Sequence, residues 1–275
     1  MFQYALFLKY ISMGVEAKFD DFTEYVGRDN ARPIELSVFD IDYPKATKEE
    51  YMDYTDSYRD PLRRAIRLLF GRKSREYTEV ICTFDEEVLK RDNAYISGYF
   101  QSEKYFFDIK DEVIKSFSFN ENTKKAGMNL LAQNGVTLEG ETVSVHIRRG
   151  DYLKFPGVYG NICTEEYYDR AIKYICEQVS NPRFLIFSND TDWCEEWVKK
   201  YPELDMRLIK GTDEDTGYID MYLMSLCKHN IVANSSFSWW GAYLNRNSEK
   251  LVIAPKKWLN NHDETDIYTE EMIRI

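Results

Sequence analysis

From about residue 140 onward, short apolar, β-branched runs alternate regularly with longer amphipathic stretches. The runs are Val143–Ile147, Phe184–Phe187, Met206–Ile209, Asn230–Ala233 and Leu251–Ile253, and helices are expected between them at 164–179, 191–200, 217–228 and 236–246. Strands this uniformly apolar must be covered on both faces. A strand–helix–strand repeat does that by winding helices over both sides of a parallel sheet. Thr164, ahead of Glu165 and Glu166, offers the first helix an oxygen cap and an acidic first turn.

The first half is less regular. A helix is expected from the start to about 14, a strand near 34–39 and a basic helix at 61–70. Strands near 78–82 and 94–98 and helices at 102–116 and 122–134 follow. Composition turns polar and glycine-containing around Gln133–Gly140, so the chain of 275 residues is divided into 1–138 and 139–275.

Charge narrows the partners. With 36 basic against 47 acidic residues and a net charge of -11, the chain lacks the basic surface that nucleic acid requires. No apolar run approaches the ~18–20 residues of a spanning helix. Met1–Leu8 lacks the basic start and small-residue cleavage site of a signal peptide. Cys82, Cys163, Cys176, Cys194 and Cys227 form no Cys-x-x-Cys pair and read as reduced thiols, so a cytoplasmic protein is expected. Three scattered histidines make no zinc site. One local exception to the acidity is the stretch Arg59–Arg75, in which Leu62, Ile66, Leu69 and Phe70 share a helical face and the arginines largely occupy the other. Two readings stand: a solvated basic face, or a patch through Arg63, Arg64 and Arg67 that rests peripherally on an anionic membrane or a lipid-linked acceptor.

In an open parallel sheet, ligands bind outside the carboxyl ends of the strands. Those ends read His146-Ile147-Arg148-Arg149-Gly150-Asp151, Ser188-Asn189-Asp190 and Asn234-Ser235-Ser236. Two adjacent guanidiniums repel unless an anion lies near them, and a diphosphate supplies that charge with bidentate acceptors. An ion pair with Asp151 is the alternative, and His146 suits a core position equally well. Hydroxyls at Ser235 and Ser236 fall where a helix begins, a place that caps free N–H groups or binds phosphate oxygens. The Asp-x-Asp triplets at Asp40–Asp42, Asp190–Asp192 and Asp213–Asp215 are weak signals in so acidic a chain, and no Gly-x-x-x-x-Gly-Lys loop occurs. Neither a metal nor a cofactor is expected. The arginines and the helix start must then balance the diphosphate.

His146-Ile-Arg-Arg-Gly-Asp-Tyr152 and Asn234-Ser-Ser-Phe-Ser-Trp-Trp-Gly-Ala-Tyr-Leu244 resemble two signatures of the α-1,2-fucosyltransferases of glycosyltransferase family eleven. Phe187-Ser-Asn-Asp190, Ser97-Gly-Tyr-Phe-Gln-Ser-Glu-Lys-Tyr-Phe106 and Met1-Phe-Gln-Tyr-Ala5 are similar to further segments of that family, in the same order. In relatives a strand and a Gly-Asn-Gln turn precede the last of these. This sequence opens inside it, so the first N-terminal strand is expected to be missing.

The resemblance implies a GT-B-like architecture of two Rossmann-like lobes, 1–138 facing the acceptor and 139–275 binding GDP-fucose. It implies donor contacts at His146, Arg148, Arg149, Asp220, Asn234, Ser235 and Ser236, with Asp220 reading guanine. Acceptor contacts are expected at Tyr99, Gln101 and Trp239. The implied reaction is inverting transfer of L-fucose to the 2-hydroxyl of a β-galactoside in a surface glycan or O-antigen. Arg148 and Arg149 would stabilise the leaving phosphate, and Asp151 would act either as base or as their anchor. Another fucosyl linkage, or a truncated protein that binds GDP or glycan without transfer, are the alternatives.

Overall fold

The computed structural model describes residues 1–21, 34–55, 61–71, 75–79, 83–150, 152–262 and 265–275; the side chains of Arg63 and Arg67 lie outside that description. Internal packing divides the chain into Met1–Ser116 and Phe117–Ile275. The division falls ahead of the 138/139 boundary expected from composition.

Aromatic contacts organise the first unit. Helix α1 (Phe2–Ser12) buries Phe2, Tyr4, Ala5, Leu6 and Tyr10. Phe2 meets Phe106, and Tyr4 and Phe7 both pack on Phe19. Helix α2 (Lys48–Tyr54) was not anticipated; a reciprocal capping box between Thr47 and Glu50 starts it. Helix α3 (Pro61–Leu69) opens with proline, which costs nothing at a first helical position. Strands β1 (Glu76–Thr78) and β2 (Tyr95–Ser97) pair in parallel, with the short helix α4 (Glu86–Leu89) between them and α5 (Lys110–Ser116) after them. Of the strand expected near 78–82, residues 80–82 lie outside the described residues.

Two expectations fail here. Residues 36–39 form a 3-10 turn rather than a strand, because Leu36 and Phe39 are the buried pair and their spacing is helical, not alternating. The helix expected over 102–116 is broken into two 3-10 turns before α5, because Phe106 leaves helical geometry to become fully buried.

In the second unit, Asn120 caps helix α6 (Glu121–Gln133), which packs on a later helix, α9 (Gly217–Leu226). A Cβ on Gly127 would come within 2.7 Å of the Tyr222 ring, so the two helices touch where the side chain is missing. That contact carries α6 into the second unit and moves the boundary. Strands β3 (Thr142–Ile147), β4 (Arg183–Ser188), β5 (Asp205–Leu208), β6 (His229–Ile231), β7 (Val252–Ala254) and β8 (Met272–Arg274) form one parallel sheet in the order β5-β4-β3-β6-β7-β8. All five expected strands of this half are present; β8 was not anticipated.

Alternation along β3 sorts its residues between the faces. Val143, Val145 and Ile147 join one core with Tyr167, Tyr168, Ala171, Ile172 and Ile175 of α7 (Glu165–Gln178) and Cys194 and Trp197 of α8 (Thr191–Val198). Thr164 takes the N-cap position of α7 without making a side-chain cap bond. Ser144 turns to the other face and a buried polar chain: Asn230 Nδ2 donates to Ser144 Oγ (2.7 Å) and to the Met224 carbonyl (2.9 Å). Asn245 Nδ2 in turn donates to Asn230 Oδ1 (2.7 Å). Each amide is satisfied by a neighbour, so the chain costs little to bury. Helix α10 (Ser236–Tyr243) follows β6 and packs on α9. Helices therefore cover both faces of a doubly wound α/β sheet. Among the described residues Cys163, Cys176, Cys194 and Cys227 are free thiols, Cys82 lying outside them, and no helix is long and apolar enough to cross a membrane.

Candidate active site

The order in which the chain adds its parallel strands reverses between β3 and β6. Chain order runs outward from β3 through β4 to β5 on one side, and from β6 through β7 to β8 on the other. The two crossovers diverge there and leave a crevice outside the carboxyl ends of the two central strands. Arg148 directly follows β3, and Asn234-Ser235-Ser236 follows β6.

His146, the next-to-last residue of β3, is 4% exposed and lies 5.3 Å, ring to ring, from Phe237. Burial, reinforced by nearby Arg148, pushes its pKa down to about 3, so it is a neutral imidazole; its Nδ1 has no hydrogen-bond partner. Arg148 is half-buried, with its guanidinium carbon 5.6 Å from the centre of the Tyr152 ring. Tyr152 Oη donates to the Asn234 carbonyl at 3.1 Å, which links Arg148 to the start of α10 through one side chain.

Arg149 does not join Arg148. Its Nε donates to Asp190 Oδ2 at 3.1 Å, its guanidinium lies 4.2 Å from the centre of the Trp193 ring, and its backbone N–H donates to Asn189 Oδ1 at 3.1 Å. The expected pincer of two arginines is therefore corrected. Consecutive residues leaving a strand point to opposite sides, and Asp190 supplies the carboxylate for the second. Asp151 lies outside the described residues. Asp190 also caps α8 by accepting from the Trp193 N–H, 3.2 Å. Asp190→Ala is expected to lower stability by about 1–2 kcal/mol in urea unfolding, and Asp190→Asn by less, because an amide oxygen still caps the helix.

At the end of β6, the side chain of Asn234 ties neighbouring segments together. Its Nδ2 donates to the carbonyls of Tyr159 (3.2 Å) and Trp258 (3.1 Å), while its Oδ1 accepts from Cys163 Sγ at 3.4 Å. Ser235 is the N-cap of α10 and accepts from the Phe237 N–H at 3.4 Å; Ser236 is the first helical residue and half-buried. The positive end of the α10 dipole thus opens on the crevice.

Asp220 stands on α9. Thr212 Oγ1 donates to its Oδ2 at 2.8 Å, whereas its Oδ1 is shielded from solvent and has no partner. Burial raises its carboxyl to about 7, against the opposing effect of the Thr212 bond. A Cβ on Gly217, one turn earlier, would lie 3.7 Å from the Phe237 ring. Phe237 is therefore the hub at which β3, α9 and the start of α10 meet. Phe237, Thr212 and Tyr152 were missed as site residues, although Phe237 and Tyr152 stand inside the two signatures. The Asp213–Asp215 triplet folds the turn before α9, since Asp213 Oδ1 accepts from Asp215 N–H, Thr216 N–H and Thr216 Oγ1.

Trp239 is corrected outright as an acceptor contact. It is 0% exposed, donates Nε1–H to the Ile267 carbonyl at 2.7 Å and stacks on Tyr243. Trp239→Ala is expected to cost about 3–5 kcal/mol of stability in denaturant unfolding, the range for emptying a packed aromatic site. Tyr99 is exposed and Gln101 half-buried in the first unit. Glu79, unremarked in the sequence, builds that turn: its Oε2 accepts from the N–H groups of Tyr99 (2.7 Å) and Phe100 (3.1 Å). Phe100 takes a left-handed conformation (φ 51) that sends its ring inward and leaves Tyr99 outside.

The sequence profile described as glycosyl transferase family 11 matches residues 74–275. The O-antigen biosynthesis glycosyltransferase WbnK of Escherichia coli is 30% identical over 295 residues, covering 100% of this chain and 96% of that one. An alpha-1,2-colitosyltransferase of Escherichia coli is 35% identical over 191 residues, 65% of this chain and 61% of the other. Human galactoside alpha-(1,2)-fucosyltransferase 1 is 27% identical over 158 residues, 54% of this chain and 42% of its own length, so less than two thirds of the latter two is spanned. Among solved structures, POFUT1 in complex with GDP-fucose matches with a TM-score of 0.35 and 13% identity, over 50% of this chain and 46% of that one. Heptosyltransferase II of E. coli matches with a TM-score of 0.37 and 14% identity, over 57% and 44%. The profile covers most of the chain and one relative aligns along all of it: the chain belongs to glycosyl transferase family 11.

Proposed function

We propose that this protein transfers L-fucose from GDP-β-L-fucose to the 2-hydroxyl of a β-galactoside, with inversion, in a surface glycan or O-antigen. The observation that carries the donor reading is the gathering around Phe237. A guanidinium (Arg148), a helix start (Ser235-Ser236) and a carboxylate with one partnerless oxygen (Asp220 Oδ1) collect at one strand-switch point. Those are the chemistries a guanosine diphosphate calls for: the first two answer the diphosphate, and a carboxylate accepts from guanine N1–H and N2–H. The linkage reading is supported by relatives named for α-1,2 transfer to galactosides and for O-antigen synthesis.

In this reaction the acceptor oxygen bonds to the anomeric carbon as the bond from that carbon to the β-phosphate oxygen breaks. The sugar passes through an oxocarbenium-like state, and negative charge grows on the departing GDP. Arg148 and the α10 start stabilise that charge, each such donor being worth about 2.7–4 kcal/mol of barrier. Neutral His146 adds no competing charge beside it. Asp151 takes the acceptor proton; Asp151→Asn should lower kcat while sparing GDP affinity, whereas loss of both would make it an anchor instead.

A second donor is favoured by one observation, the 35% identity to a colitosyltransferase. Colitose is 3-deoxyfucose, so the two donors differ by a single hydroxyl. Incubation with GDP-fucose or GDP-colitose and β-galactoside acceptors, with product linkage read by NMR, decides the matter. An α-1,2-fucosyl product is expected. A 1,3- or 1,6-linked product would replace the linkage, and GDP binding without transfer of either sugar would leave a binding protein.

A further inference from the structure

We propose that α3 docks this protein on an anionic lipid surface. A surface helix of a soluble protein ordinarily turns its apolar stripe inward. Here Leu62, Ile66 and Leu69 fall at i, i+4 and i+7 on one stripe, with Phe70 beside them, and they are 71%, 46%, 82% and 79% exposed. By contrast α7, with a comparable apolar stripe, buries Tyr168, Ile172 and Ile175 in the sheet core. An exposed stripe of this size on a helix is the mark of an interaction site.

The charge beside the stripe selects the occupant. Between Pro61 and Gly71 the sequence carries Arg63, Arg64 and Arg67 and no acid, in a chain whose net charge is -11. At helical spacing those three positions flank the apolar stripe on one side and continue behind it. A membrane interface answers both halves, taking leucine and phenylalanine into the acyl boundary while anionic headgroups meet the arginines. A nucleic acid would leave the apolar stripe in water. A second copy of this helix would cover the stripe but bring the flanking arginine positions 63 and 67 of both copies toward one short seam, with no acid between Pro61 and Gly71 to balance them.

The inference is independent of the donor and the sugar, because lipid binding is read without any transfer. Full-length protein is floated with vesicles of phosphatidylcholine alone and of an equal mixture with phosphatidylglycerol. Binding is expected to the mixture and not to phosphatidylcholine, and to weaken as salt rises. A basic residue at such a surface contributes about fivefold, and Arg64, set behind the stripe and farther from the headgroups, contributes less, so Arg64→Glu should reduce binding severalfold. Leu69→Glu combined with Phe70→Glu should abolish it. These side chains are exposed, so both variants should melt with the parent and keep its turnover of a soluble acceptor. Equal binding to the two vesicle types, or none to either, overturns the proposal. So does a concentration-dependent dimer in sedimentation equilibrium that the Leu69/Phe70 variant abolishes, which would make the stripe a contact between copies.

Discussion

Replacing Arg148 by alanine is expected to lower kcat by about 10²–10³ and to weaken GDP binding as well, measured by initial rates and by calorimetry. The size follows from where the charge develops. A guanidinium held against the leaving phosphate of a bound donor, where water is displaced, is worth more than the same contact in solvent, and it needs no reorganisation as the bond breaks. Arg148→Lys should recover little, since a point charge cannot reproduce a planar fork. Arg149→Ala makes the informative comparison. Arg149 is engaged by Asp190 and lies against Trp193, so its loss should act mainly on stability and on how the loop presents Arg148. If the two arginines instead gave equal losses in kcat, both would face the donor. Normal turnover in Arg148→Ala would remove the clamp altogether.

The split between these neighbours marks what the sequence could and could not carry. Strand and helix positions in the second half were legible because burial writes a period into the chain. Val143, Val145 and Ile147 had to be apolar to meet α7, and the helices between strands had to carry stripes. The carboxyl edge followed from topology, as parallel strands end on one side. Direction of a side chain writes no such period. Nothing in one dimension says that Arg149 turns to Asp190, that the amide of Asn234 is spent on Tyr159 and Trp258, or that Trp239 points inward to Ile267. Strand β8 is only half-buried and sets Ile273 between Met272 and Arg274, so it lacks the short apolar run that marked the equally short β6 and β7. Glu79 escaped notice for another reason: its partners are N–H groups of Tyr99 and Phe100, and backbone donors leave no trace in residue identity.

Asp220→Asn is expected to weaken GDP binding and, at the same time, to make the protein more stable above neutral pH. Both effects come from one buried carboxyl group. Folding raises its pKa from the ordinary carboxylate range to about 7, so the folded chain holds the proton more tightly than the unfolded chain does. Stability therefore falls as pH rises from about 4 to 7 and stays at the lower level above that, a cost on the order of a few kcal/mol. An asparagine carries no charge to bury and keeps an oxygen for Thr212, so the variant should unfold at higher denaturant than the parent at pH 8, the difference closing near pH 4. Binding runs the other way. Guanine presents N1–H and N2–H together, and only the ionised carboxylate offers acceptors to both without a hydrogen of its own in the way. Affinity for GDP should consequently decline as pH drops below about 7, by up to tenfold per unit. In Asp220→Asn, where one acceptor becomes a donor, it should fall by roughly 2–4 kcal/mol at pH 8. The β-phosphate of GDP titrates in the same region, so guanosine serves as the control. A decline shared by guanosine and absent from the variant belongs to Asp220. A variant that binds GDP as tightly as the parent would move the guanine site elsewhere, leaving Asp220 a buried acid paired with Thr212 alone.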